Sequence, residues 1–315
     1  MKNTLSILLI LTLSFSCSTI TPRYVLNSQL EPEKARELMK GIVSVNPPRN
    51  YKNIGSLNKT AQYITAKLRG LGYEALEQKY SAEGYEFKNI HAFYNDPNLP
   101  RLVIGAHYDV YGESEGADDN ASGVVGLLML AELFMKYKPN LAYSIEFVFY
   151  TLEEPPFFRS DLMGSYIHAR SLKAGSADVI GMVSVEMIGF FTDKEDSQNY
   201  PLALMKLFYP DKGDFIAVVS NLGSGKLKRH FKRSFENQHI KVESLSAPSF
   251  LVGIDFSDHL NYWKFDYPAI MVTDTSFYRN KNYHTGGDTM DTVNFEKLVE
   301  VVKGLYVAAA NMELK

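Results

Sequence analysis

Strand-forming apolar runs alternate with helical periods from about residue 57 onward, and this alternation constrains the fold more than any other feature of the chain. Leu57, Ala61, Ile64, Leu68 and Leu71 recur at spacings of three and four, which predicts a helix ended by Gly70 and Gly72. A shorter helical stretch, 31–40, precedes it. Strand-like segments follow at 74–80, 87–94 and 102–106, the first two reading as an antiparallel hairpin. Residues 123–137 then read as an apolar helix, 143–151 as a strand and 163–172 as a helix. Further strands are expected at 179–187, 215–220 and 269–272, before a closing helix over 295–312. The pattern predicts one α/β domain over 31–315, with a mixed, mostly parallel central sheet flanked by helices. Functional sites in such sheets form at the carboxyl ends of strands. Polar residues just past a strand are therefore the ones to weigh.

Hydrophobic residues at 45 % and charged residues at 22 % are those of a folded globular chain, which excludes wholesale disorder. A net charge of -3 gives no general attraction to phosphate backbones, so nucleic acid is not an expected partner. The 20 Tyr and 19 Phe suffice for a large core and an aromatic-lined pocket. Residues 1–16 read as a secretory signal, with Lys2 ahead of an apolar run from Leu5 to Leu13. That run falls short of the roughly 20 apolar residues that a membrane-spanning helix needs. Small residues around Cys17 resemble a bacterial lipoprotein signal, although Ser14 stands where such signals usually carry Leu. The expectation is a chain exported to a bacterial cell envelope and anchored by a lipid on Cys17, with 17–30 as a tether. One cysteine leaves no internal disulfide.

Five places just after or within strands carry chemistry. His107 ends the strand 102–106, and Asp109, two residues on, is placed to accept from the imidazole and fix its tautomer. The segment Gly116-Ala117-Asp118-Asp119-Asn120-Ala121-Ser122-Gly123 leads into the apolar helix. A helix N-cap accounts for one of its acids but not for the whole motif. Glu153 and Glu154 end the strand 143–151. Adjacent residues of an extended chain point oppositely, so both reach one pocket only if the strand turns, and Pro155-Pro156 would supply the turn. Glu186 is a lone acid in an apolar strand, and His284 lies in Tyr283-His284-Thr285-Gly286-Gly287-Asp288. Taken singly, each has a bland structural reading.

Together, in this order, these elements resemble the M28 family of metallo-aminopeptidases, the co-catalytic zinc peptidases, over about 89–292. The resemblance implies two zinc ions, one held by His107 and Glu186 and the other by Glu154 and His284, with Asp119 bridging them. It also implies Glu153 as general base and Asp109 as the residue orienting His107. The family often has Asp where Glu186 stands. The implied reaction is hydrolysis of N-terminal residues from peptide substrates, by a water activated between the metals and Glu153. Membrane contact would come through the Cys17 lipid alone. Two rivals share the fold: a glutaminyl cyclase, and a binding ectodomain that has lost its metals.

The segment Pro155–Met163 is longer than in many relatives, and its two Phe and one Arg beside the base are expected to shape substrate choice. Ser257-Asp258-His259 is no triad on sequence grounds, since triads assemble in space. It is read as lining the pocket or capping the short segment after it. His91, His168, His230 and His239 are read as structural or solvated. Gly223-Ser224-Gly225-Lys226 fails the spacing of a phosphate loop.

Overall fold

The computed structural model describes Tyr24, Leu26 and residues 30–313. The expected signal, Cys17 and most of the tether lie outside the described residues, and no helix among those described is long and apolar enough to cross a membrane.

Among the described residues, eight strands form one sheet. They are β1 (Leu76–Ala82), β2 (Tyr85–Tyr94), β3 (Arg101–His107), β4 (Ser144–Tyr150), β5 (Val179–Glu186), β6 (Ile216–Ser220), β7 (Val242–Ser246) and β8 (Ala269–Thr273). Their spatial order is β1-β2-β4-β3-β5-β8-β6-β7. The central strands β4, β3, β5 and β8 run parallel to one another, β6 pairs antiparallel with β8, and β1 and β2 form the expected hairpin. The sheet is mixed with a parallel core, as the alternation of strands and helices predicts. β7 escaped the sequence reading. It is five residues long, sits at the sheet edge and carries only two apolar side chains, too little for a period-two signal.

Helices cover both faces. Along β3, Leu102, Ile104 and Ala106 join the larger core while Val103 joins a second cluster, and along β4 Ile145, Phe147 and Phe149 oppose Val148 and Tyr150 in the same way. This is the period-two division of a sheet buried on both sides. The larger core is closed by α1 (Pro32–Val43), α2 (Ile54–Gly70), α3 (Gly123–Tyr137), α5 (Gly225–Asn237) and α7 (Phe295–Ala310). On the other face lie α4 (Gly164–Ala174) and the short α6 (His259–Trp263). Gly105 explains how Tyr150 fits on that second face: a Cβ there would sit 2.2 Å from the ring of Tyr150 on the neighbouring strand.

Candidate active site

His107 is the last residue of β3 and Glu186 the last of β5, and both point to the face covered by α4 and α6. The parallel central strands bring these carboxyl ends side by side. His107 Nε2 lies 3.4 Å from Glu186 Oε2 and 3.4 Å from Asp119 Oδ1. The other oxygen of Asp119, Oδ2, lies 3.2 Å from His284 Nε2, which is 3.0 Å from Glu154 Oε2. Two imidazole–carboxylate sets therefore share one carboxylate, each of its oxygens facing a different half. Glu153 Oε2 stands 3.9 Å from His107 Nε2, beside the first set.

Each position has a local cause. The paired acids do turn into one pocket, but the turn precedes them. Leu152, at φ 59°, breaks the extended chain immediately after β4. Asp109 then pins the turn, accepting the backbone N–H of Glu153 (3.2 Å) and of Glu154 (3.1 Å). Its expected partner, His107 Nδ1, is 3.5 Å away, so the shorter contacts of Asp109 are to the two amides.

The adjacent acids Asp118 and Asp119 part company. Asp119 enters the centre, whereas Asp118 faces away and accepts from the Gly189 N–H (2.9 Å) and Asn280 Nδ2 (2.8 Å). The backbone N–H groups of Asp118 and Asp119 both donate to Asp288, at 2.8 and 3.0 Å. Gly116 opens this segment at φ 61°, and a Cβ there would come within 2.4 Å of the Asp119 carbonyl oxygen. The adjoining turn is held by the buried Arg49, which donates to the carbonyls of Tyr108, Glu115 and Gly116. His284 is clamped between rings: Tyr283 stacks at 3.8 Å and Tyr111 at 4.1 Å between centroids.

The electrostatics of the cluster call for positive charge. Burial pushes Glu153, Glu154 and Glu186 upward, Glu154 to about 8, with carboxylate neighbours adding to the effect. Burial alone would lower His284, but hydrogen bonding to Asp119 and Glu154 brings it to about 10. Buried acids that resist ionising beside imidazoles that hold protons form a cluster whose charge a bound cation would balance. Among the described residues, the buried Glu154 Oε1 also has no hydrogen-bond partner. Ligand atoms of His107, Asp119 and Glu154 lie within 4.8 Å of one another, and imidazole with carboxylate is a donor set suited to zinc.

A second group with metal-like composition, His91, Glu146 and His168, behaves differently. Glu146 Oε1 receives both His91 Nδ1 (2.9 Å) and His168 Nε2 (3.1 Å), while Oε2 receives Arg101 (3.0 Å). His168 Nδ1 contacts the Tyr262 hydroxyl, itself bonded to Tyr150. Burial would raise the Glu146 carboxyl, but His168 and His91 hold it well below the usual carboxylate range. These groups satisfy one another and are structural, as the sequence reading of both histidines expects. Glu146→Ala leaves buried His168 and its neighbours without their anion, and should cost about 3 kcal/mol in urea unfolding.

Ser257-Asp258-His259 meets the sequence reading only in part, with Asp258 at the N-cap position of α6. None of the three lines the cavity described below, and Asp258 makes no side-chain cap on α6. His259 Nε2 bonds the Ile254 carbonyl (2.7 Å), and burial lowers the imidazole to about 4. Ser257 has an unforeseen place, donating to Glu186 Oε2 at 2.7 Å. It comes from a loop 71 residues away, and no local pattern marks it.

A cavity of about 350 Å³ opens from this centre along the sheet face toward β6 and β7. Of the segment 155–163, Pro155 and Phe158 line it, whereas Phe157 packs edge-on against Tyr51 within the protein. Arg159 bonds Asp255 (2.6 Å) and lies over the ring of Phe256, fastening this segment to the opposite wall.

Comparison with known proteins adds a family, two relatives and two solved structures. Residues 89–308 match the family model described as Peptidase family M28. The Escherichia coli protein named "Uncharacterized protein YfbL" is 43 % identical over 92 % of this chain and 90 % of its own length. Leucine aminopeptidase 1 of Sclerotinia sclerotiorum is 24 % identical over 77 % of this chain, which spans 62 % of that protein. Among solved structures, the LapA aminopeptidase of Legionella pneumophila superimposes with a TM-score of 0.72 at 21 % identity, over 90 % of this chain and 73 % of its own. The glutaminyl cyclase of Porphyromonas gingivalis gives 0.67 at 19 % identity, over 88 % and 97 %. At these identities the two structures share the fold and nothing more specific is carried by the likeness.

Proposed function

The chain belongs to peptidase family M28, and we propose that within it this protein is a zinc-dependent aminopeptidase. The observation that carries the reading is the shared carboxylate: Asp119 presents one oxygen to His107 and the other to His284. We assign His107, Asp119 and Glu186 to one zinc site and Asp119, Glu154 and His284 to the other. Zinc held there supplies Lewis acidity to the scissile carbonyl and lowers the pKa of water.

The protein's own groups do the rest. Glu153 stands beside the centre without belonging to either set, so it is free to take a proton from the attacking water and pass it to the leaving amine. Asp109 positions Glu153 and Glu154 through their backbone amides. Ser257 and Asn120 hold the Glu186 carboxylate, and the Tyr283–His284–Tyr111 stack fixes the second imidazole. The carboxylate-rich end of the cavity meets the free α-ammonium of a peptide, which makes removal of the first residue the favoured outcome. Attachment to the envelope through a lipid on Cys17 belongs to the same proposal.

The test is zinc-loaded protein incubated with short peptides of differing N-terminal residue, Gln included, with products followed by mass spectrometry. Stepwise loss of N-terminal residues is expected. Loss of ammonia confined to Gln peptides would make the protein a cyclase, and unchanged peptides would favour a binding role.

A further inference from the structure

Five carboxylates line the cavity, and only four belong to the centre just described. Asp119, Glu153, Glu154 and Glu186 cluster at one end; the fifth is Glu243, on the edge strand β7, and no Lys or Arg among the described residues lines the cavity. Strand register gives its place. Glu186 pairs with Thr273, Thr273 with Ala217 and Ala217 with Glu243, so the four form a row across β5, β8, β6 and β7. Paired residues point to one face, and all four line the cavity. Three strand spacings put the backbones of Glu186 and Glu243 about 14 Å apart. That span is on the scale of a long, extended side chain lying between the two glutamates.

The sheet floor between them carries Thr273 and Ala217, with the apolar Leu245 beside Glu243 on β7. Tyr200 and Tyr209 stand beside the Glu243 end with ring centroids 5.6 Å apart. Glu243 itself is half-buried, and no hydrogen bond or ion pair among the described residues reaches its carboxylate. Lys232 acts on it through space but is bonded to Glu236 on its own helix. Arg279, near Tyr200, donates through Nε and Nη1 to Gln198 and to the carbonyls of Gly213 and Phe215. A largely uncharged floor, aromatic faces and an unpaired carboxylate at the far end suit a long aliphatic stem carrying a cation.

We propose that Glu243 is a specificity residue that favours substrates with an N-terminal arginine or lysine. This rests on the aminopeptidase reading and deepens it by naming a substrate class. Arginine and citrulline differ at the side-chain tip in charge and hardly in shape, so the ratio of their kcat/KM values isolates the charge. The ratio also cancels any difference in the folded fraction of a variant.

The experiment measures that ratio for Arg-Ala and citrulline-Ala peptides with zinc-loaded protein. Arginine should be favoured about tenfold, as expected for one partly desolvated charge-assisted contact with aromatic support. Glu243→Gln should bring the ratio near one, and Glu243→Lys should invert it. A wild-type ratio near one, or a preference that survives Glu243→Gln, overturns the inference while both peptides are still being shortened, so the aminopeptidase reading stands. If no peptide is shortened, both fail together.

Discussion

Glu153→Gln should lower kcat by about a thousandfold while the protein keeps its zinc, since general acid–base assistance contributes roughly 10²–10⁴ in rate. Glutamine preserves the size of the side chain and its place beside His107, but it cannot accept the proton of the attacking water. The residue lies 3.9 Å from His107 Nε2 and belongs to neither imidazole–carboxylate set, so its loss should spare the metal sites. Steady-state kinetics and metal analysis on the same sample decide the matter. Turnover within tenfold of the natural protein would remove Glu153 as the base. Loss of zinc together with activity would instead place it among the ligands.

Asp119→Ala should abolish activity and zinc binding at both halves together. Each oxygen of this one side chain faces a different imidazole, so neither half stays complete. Stability gives an independent reading. With zinc a thousandfold above its dissociation constant, binding stabilises a folded protein by about 4 kcal/mol. That gain should disappear in Asp119→Ala. The metal-free variant should itself unfold at a lower temperature than metal-free natural protein. Burial would raise the Asp119 carboxyl, but His107 and His284 hold it well below the usual carboxylate range, and its removal leaves both imidazoles without that anion. His284→Ala should remove one half only and keep part of the stabilisation. Thermal unfolding with and without zinc separates the three proteins. A full zinc-induced rise in Asp119→Ala would rule out its shared role.

Three places show how far a linear reading reaches. Glu186 stands out because an acid closing an apolar strand is locally inconsistent, and such a residue can be singled out from its neighbours alone. Glu153 and Glu154 were visible as a pair, but the device that turns them into one pocket is the φ of Leu152, not the prolines after them. Asp118 and Asp119 were visible as a pair too. Which of them enters the centre depends on Asp288, Asn280 and Gly189, all more than 70 residues away.

The sequence by itself determined the class of the fold, the strand ends at which polar groups collect and the family. These are local or ordered properties: hydrophobic period, residue type and the succession of motifs. Only the tertiary structure decided which acid faces which imidazole and that Ser257 supports Glu186. It alone showed that Tyr111 and Tyr283 sandwich His284, and that Glu243 shares a cavity with Glu186. Those relations cross from one strand or loop to another, and their geometry follows from register and packing. β7 makes the point most plainly: five residues with no pattern of their own become a cavity wall because β6 offers them an edge to pair with.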